Sequence, residues 1–513
     1  AAFQQSMLEG IDIETMGVEI SRNLLHQASV ADADGVPAFE QMLARTSTGD
    51  VARDLIERQL LVQADDAIAH DFAGQPALAA DLRESVARVR AVLGAHEAAE
   101  RGFAQVAGYR AKALGVAHPR TLQARVDQIE ALLELGKSRE ARELAEKTLA
   151  TAPSGPAQAR PRILLESALA RAIAALGDRA RSKAMQRSVY ERARRDLGES
   201  DPLTLSVLNN LGIIRARTGE LEQARDTFET VFEQRRLALG ERHKDTLSAM
   251  ANLAIMKIQT GDAEGALALN RELVRVRIRQ LGNEHPQTLV DRGNLATMLL
   301  DAGRLEQALP ELETVAEARA RVLGALNPLT LRSQLNLASG YARNGEYEKA
   351  LALEEQVLQA RSRLLGPGHP DTLSILVNHA GTQGRAGQPG AALQLLEPVL
   401  PKVRSVLGDN DPQTIAALSA YGTALLERGD AAAAVAPLRD ALALQARRLG
   451  ADDARSVESA WRLEQALMAS GAHAEARVVH DRYVLPLLAK PAAGLSQQLA
   501  KVEETITRQL RKQ

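Results

Sequence analysis

His118, His243, His285 and His369 hold the same place in a phrase that the chain repeats: LGVAHPRTL from 114, LGERHKDTL from 239, LGNEHPQTL from 281 and LGPGHPDTL from 365. An imidazole nitrogen is a common metal ligand, so a recurring histidine first raises metal chemistry. A metal site needs several ligands converging within a few ångströms, whereas these histidines fall one apiece on successive copies. The same place is taken by Asp201, Asn327 and Asp411 in LGESDPLTL, LGALNPLTL and LGDNDPQTI. Histidine, aspartate and asparagine share a hydrogen-bond acceptor close to the backbone, which is what the position before a helix requires. The proline that usually follows fits the first helical position, where its missing N–H costs nothing. These histidines are therefore expected to cap helices and to bind no metal. With no cysteine in the chain, disulfides, thiolate nucleophiles and cysteine-ligated zinc are excluded. No Ser/His/Asp set, paired carboxylate or glycine-rich phosphate loop stands out, so neither catalysis by this chain nor a cofactor is expected.

The elements that carry the phrase can be read from its period. Thr204, Thr246, Thr288, Thr330, Thr372 and Thr414 are each 42 residues apart, and Ser456 falls on the next beat. Fifteen residues after each stands a glycine, from Gly219 through Gly303 to Gly471, and five residues later an alanine, from Ala224 through Ala308 to Ala476. Thr121, Gly136 and Ala141 keep the same spacing, Gly177 and Ser182 approximate it, and Gly94 with Ala99 marks a first copy from about Pro76. That gives ten units between about 76 and 490.

Each unit reads as two helices. In the copy from 285, Leu289, Leu295, Ala296 and Leu299 share one helical face, Gly303 ends the helix, and Ala308, Leu312 and Val315 start a second apolar series. Glycine reaches the positive φ of a helix terminus without strain, and alanine at 308 lets two helices approach closely. Such a pair cannot bury its apolar faces alone, so the copies must stack.

Composition agrees. The 513 residues are 45% hydrophobic and 25% charged but only 3% aromatic, which suits a core of Ala, Leu and Val between helices. A net charge of −2, with Arg intermixed among Glu and Asp, offers no basic footprint for nucleic acid. No apolar run approaches the 18 to 20 residues that span a bilayer, so this chain is expected to make no membrane contact of its own. The start AAFQQSMLEG has neither an initiator Met nor a signal-peptide pattern, and the chain is expected to be a piece of something longer.

The Gly-then-Ala spacing resembles the tetratricopeptide repeat. The period of 42, the phrase LG..HP.TL, and an arginine five before the linker glycine (Arg235, Arg277, Arg319, Arg361) resemble the kinesin light chain variety. The resemblance implies an all-α, right-handed superhelical solenoid of antiparallel helix pairs. The expected layout is an N-terminal helical segment over 1–72, about ten repeats over 73–490 and a C-terminal capping helix over 491–513. A second resemblance lies in FQQSMLEGIDIETMGVEISRNLLHQAS and GQPALAADLRESV, which are similar to the segment after the transmembrane helix of bacterial membrane-anchored serine/threonine kinases. Their extracytoplasmic half is a tetratricopeptide array. No kinase motif occurs in this chain, so the catalytic domain would lie upstream.

Five copies carry an asparagine six residues after the reference threonine: Asn210, Asn252, Asn294, Asn336 and Asn378. Each precedes a core leucine or its substitute by one position and so projects about 100° from the buried stripe. By the resemblance these form a carboxamide ladder that hydrogen-bonds the backbone of a protein or peptide ligand in the concave groove. The other reading is that each asparagine satisfies a backbone group in the adjoining unit. Seven positions further on stand Arg217, Gln259, Asp301, Arg343, Arg385 and Glu427, which would make the groove basic around Arg343 and Arg385.

The repeated second-helix arginines are expected to pair with glutamates of neighbouring helices, the alternative being a ligand. Trp461, the one tryptophan, either closes the end of the core or anchors a partner. Leu499, Val502, Ile506 and Leu510 form a stripe after KPAAGLS that either caps the array or makes a dimer seam. The expected function is a periplasmic protein- or peptide-binding sensor of a transmembrane serine/threonine kinase. The alternatives are a cytosolic scaffold with no kinase attached and a self-assembling array.

Overall fold

The computed structural model describes residues 48–153, 155–489 and 497–510, together with single positions between 16 and 30. Among the described residues every regular element is a helix. The kinase-like segment at 3–29 and the break at 490–496 lie outside the described residues, single positions excepted. The chain forms two compact units, residues 1–330 and 331–513.

In the first unit, α1 (Thr48–Ile56) runs through a π turn at Glu57–Leu61 into α2 (Val62–Asp71). Helix pairs follow: α3 (Pro76–Val92) with α4 (His96–Ala113), α5 (Pro119–Glu134) with α6 (Ser138–Thr151), and α7 (Ala159–Ala175) with α8 (Arg179–Leu197). They continue as α9 (Pro202–Arg217) with α10 (Leu221–Leu239), α11 (Lys244–Gln259) with α12 (Ala263–Leu281), and α13 (Pro286–Asp301) with α14 (Leu305–Leu323). Helix α1 also lies against α14, so this unit curls back on its own N-terminal helix.

Helix α15 (Pro328–Arg343) begins at the boundary. The second unit continues with α16 (Tyr347–Leu365), α17 (Pro370–Arg385), α18 (Pro389–Leu396), α19 (Leu400–Leu407), α20 (Pro412–Glu427) and α21 (Ala431–Leu449). It ends with α22 (Ala454–Ala469), α23 (His473–Val479), a π turn at His480–Val484, α24 (Leu485–Leu488) and α25 (Gln497–Leu510). Where the copies from α9 to α16 have one second helix each, α18 and α19 divide it at Glu397–Val399. Pro398 supplies no N–H and its ring clashes with the preceding turn, which breaks the helix there.

The repeat phrase does what its spacing requires. Nδ1 of His118, His243, His285 and His369 accepts the backbone N–H two residues on at 3.1–3.2 Å. Asp201, Asn327 and Asp411 accept the same bond at 2.8–2.9 Å, and Asp453 does so at 3.0 Å. The histidine, aspartate and asparagine are one part in three materials. At the far end of α13, Gly303 takes φ +73° and Arg304 N–H donates to Leu299 O at 2.8 Å, closing the last turn. Within this pair Leu289, Ala296, Leu299, Ala308, Leu312 and Val315 are all buried, while Leu295 is half-buried. Full burial of one such leucine contributes about 1.5–3 kcal/mol.

The second-helix arginines depart from expectation. Arg235, Arg277, Arg319 and Arg361 are buried or nearly so, and the bonds described for them run to main chain and to aspartates at the start of a first helix. Arg235 Nη1 donates to Asp245 O at 3.1 Å, and Arg319 donates to Leu329 O at 3.4 Å and to Leu289 O at 2.9 Å. Arg277 and Arg361 instead reach the carboxylates of Asp291 and Asp371 at 2.9 and 2.8 Å. The target is the first turns of a first helix, whose peptide oxygens and side chains lie within reach of a guanidinium fork. Arg110 in α4 does the same, donating to Arg120 O at 3.3 Å while its other nitrogen bonds Asp81 and Glu84 at 2.7 Å.

Candidate functional site

The five ladder asparagines lie on first helices: Asn210, Asn252 and Asn294 in α9, α11 and α13 of the first unit, Asn336 and Asn378 in α15 and α17 of the second. Four are half-buried and Asn378 is exposed. Two of them reach the preceding repeat. Asn210 Nδ2 donates to Ser167 Oγ at 3.4 Å, and Asn252 Nδ2 donates to Asn209 Oδ1 at 3.2 Å. The partners are side chains and not the backbone groups that the structural alternative named. Asn294 and Asn378 have no side-chain partner among the described residues, so their amides stand open. The position seven further on is exposed in all six copies, at Arg217, Gln259, Asp301, Arg343, Arg385 and Glu427.

In the second unit the first helices share one wall. Leu335 and Ser339 of α15, Asn378 and Arg385 of α17, Thr423 of α20 and Arg462 of α22 line a cavity of about 770 Å³. Arg385 Nη2 donates to Thr382 Oγ1 at 3.1 Å. Thr382 Oγ1 in turn donates to Glu354 Oε1 at 2.9 Å, and His379 Nδ1 lies 3.2 Å from Glu354 Oε2. Glu354 is 4% exposed and His379 6%. This buried polar set was not among the expected site residues. Its signal in the sequence is a break in the repeat, histidine at a place that holds Leu211, Leu253 and Leu337 elsewhere.

Trp461 closes the end of the core. It packs with Val457, Val484, Leu487 and Ile506, and its Nε1 donates to Gln509 Oε1 at 2.6 Å. Leu499 and Val502 of α25 join the same cluster, whereas Leu510 stays 41% exposed.

Electrostatics mark two further carboxylates, Asp291 buried and Asp127 half-buried. Burial pushes the Asp291 carboxyl above its usual range against the opposing pull of Arg277. Burial does the same to Asp127, whose Oδ2 makes no hydrogen bond although Arg88 stands 3.5 Å away. Both sit inside the helix stack, where a raised carboxyl reports packing. Among the described residues no group of three or more His, Asp or Glu could hold a metal ion, and no helix is long and apolar enough to cross a membrane.

Comparison with known proteins places this architecture. The tetratricopeptide repeat model matches residues 162–236, 209–279, 245–321, 286–363, 329–402 and 371–447, and a second such model matches 122–147. No curated protein matches the chain. Among solved structures, one from Podosopora anserina, described as a kinesin light chain with nearly identical TPR-like repeats, is 29% identical over 39% of this chain and 95% of its own, with a TM-score of 0.36. BtubC from P. vanneervenii is 18% identical over 45% of this chain and 91% of its own, with a TM-score of 0.38. A Rap protein complexed with competence and sporulation factor is 11% identical, covers 76% of this chain and 99% of its own, and has a TM-score of 0.50, a likeness of fold. The repeat matches span more than half of the 513 residues. With its helix pairs, capped first helices and positive-φ glycines, the chain belongs to the tetratricopeptide repeat family and is a protein-interaction repeat domain.

Proposed function

We propose that the first helices of this array hold an extended protein or peptide segment, and that the chain is the periplasmic sensor region of a transmembrane serine/threonine kinase. The observation that carries the binding reading is the polar cavity of the second unit, walled by four successive first helices and open at Asn378. Asn294 offers an equivalent free amide in the first unit. A ligand backbone can donate to and accept from such amides without any demand on its own side chains, and the exposed Arg217, Arg343 and Arg385 favour an acidic partner. The kinase reading is supported by the similarity of residues 3–29 and 74–86 to the stretch that follows the membrane helix in such kinases.

Two measurements test these readings separately. A partner captured by pull-down should lose about 0.5–1.5 kcal/mol of affinity on Asn294→Ala or Asn378→Ala, with the melting temperature unchanged. Unaltered affinity in both variants moves the surface off the first helices. The coding sequence upstream of Ala1 should contain a kinase domain followed by about 20 apolar residues. A start codon close to Ala1 assigns the chain instead to a cytosolic scaffold and leaves the binding reading standing.

A further inference from the structure

Two consecutive repeats of the second unit break the pattern at several places that converge on one cavity. Glu354 in α16 stands where the other copies place Phe228, Leu312, Leu396 and Leu438, or the amides of Gln186 and Asn270. His379 in α17 replaces a core leucine or, at Tyr421, a tyrosine. Gly381 and Gly384 in the same helix stand where Ser339 and Thr423, or Ala342 and Leu426, occur in the flanking copies. Each change lowers stability. A buried carboxylate whose direct partners are a hydroxyl and an imidazole is poorly compensated for leaving water, and glycine inside a helix costs about 1 kcal/mol relative to alanine.

Packing does not account for the glycines. A Cβ built on Gly381 or Gly384 meets nothing within 4 Å, and both residues line the cavity of about 770 Å³. Their effect is to keep that space empty. Glu354 also lines it, reaching from the second helix between the first helices. The carboxylate accepts from Thr382 at 2.9 Å and from His379 at 3.2 Å, the latter bond requiring a proton on Nδ1. A carboxylate accepts about four hydrogen bonds, so two sites remain, and the cavity is the open side from which a donor can come. Ser339, Asn378 and Thr423 supply a polar wall that suits an incoming polar chain.

We infer that this cavity receives a basic side chain, lysine or arginine, from the bound segment, with the Glu354 carboxylate as its charge partner and the bare backbone at Gly381 and Gly384 as its entrance. The inference rests on the first helices being the binding face and adds to it the one position at which the partner's sequence is read. His379 and Thr382 are positioning residues: their bonds fix the carboxylate so that it need not reorganise when the cation arrives. Arg385, bonded to Thr382, and Arg462 on the same wall keep a second carboxylate-bearing partner residue within reach beside the basic one. A preference for leucine or for acid at the deep position is not expected.

The test uses the full chain and a phage-displayed library of random nonapeptides, panned in parallel on the wild type and on Glu354→Gln. The wild type should enrich peptides that share a lysine or arginine at one position. In Glu354→Gln that preference should fall roughly ten- to hundred-fold while preferences at other positions persist. Enriched peptides with no basic position, with an acidic residue in its place, or with the basic position unchanged in Glu354→Gln overturn the pocket and leave the binding face intact. No enrichment on the wild type overturns both. A second arm restores the apolar pattern: Glu354→Leu and His379→Leu together should raise the melting temperature, measured without peptide, and abolish the basic preference on panning. A lower melting temperature shows the polar set to be structural and overturns the assignment.

Discussion

Asn252 in α11 donates to Oδ1 of Asn209 in α9 at 3.2 Å, an amide-to-amide bond between consecutive repeats 43 residues apart. One repeat on, Asn294 has the same place and no such partner among the described residues. The two asparagines should therefore answer differently to truncation. Asn252→Ala should cost about 0.5–1.5 kcal/mol of stability, read as a lower urea midpoint at unchanged slope. Asn294→Ala should leave the midpoint where it is, and equal losses would show that the ladder is structural throughout.

The reference threonines give a second contrast. Thr246 is fully buried with its hydroxyl unbonded, whereas Thr121 donates Oγ1 to Gly115 O at 2.9 Å. Valine keeps the shape and removes the polar atom. Thr246→Val should raise stability by roughly 1 kcal/mol because an unsatisfied buried hydroxyl is removed. Thr121→Val should lower it by about as much, since a made bond is lost. Thermal melts of the two variants with opposite signs are the expected outcome.

Capping predicts a graded series at His285. Aspartate should be within a few tenths of a kcal/mol of the wild type, and alanine should lose about 0.5–2 kcal/mol because the Gln287 amide is left uncapped. Ala308, fully buried where α14 crosses its neighbours, should tolerate no growth, with Ala308→Leu costing about 1–3 kcal/mol. Chemical denaturation of the three variants checks both. A His285→Asp protein that fails to fold, or that added zinc rescues, contradicts the cap.

Asp127 sets a pH dependence. Burial raises its carboxyl pKa in the folded state, so the folded chain holds that proton more tightly than the unfolded chain does. The resulting stability is fully present below the unfolded carboxylate range and is lost as pH rises through the folded pKa. Asp127→Asn should consequently raise the melting temperature at neutral pH and match the wild type in acid. A variant that is less stable at neutral pH would show that Arg88 and Gln123 more than offset the burial.

Much of this fold is legible in the chain because a repeat compares each residue with its own copies. Thr246 and Thr288, Gly303 with its positive φ, and the interchange of His285 with Asp201 declare helix ends without any coordinate. The arginines were not legible in the same way. Arg319 shows its charge in the sequence, but its partners are the carbonyls of Leu289 and Leu329, and a peptide oxygen has no letter. The asparagine ladder was legible as positions and not as partners, since the bond from Asn210 ends on Ser167, which lies outside the best-formed copies. Glu354 and His379 were visible as exceptions, but only the cavity beside Gly381 shows that the exceptions meet.

The arginine clasp has a further bearing on how such a chain can change. Arg110, Arg235 and Arg319 each grip the peptide oxygen ten residues ahead, at Arg120, Asp245 and Leu329, three residues with nothing in common. A grip on main chain is indifferent to the letter it meets. A unit fastened in this way can therefore be duplicated, deleted or shuffled between two others without a compensating substitution next door, whereas the junctions that Arg277 and Arg361 make with Asp291 and Asp371 tie a repeat to its neighbour's sequence.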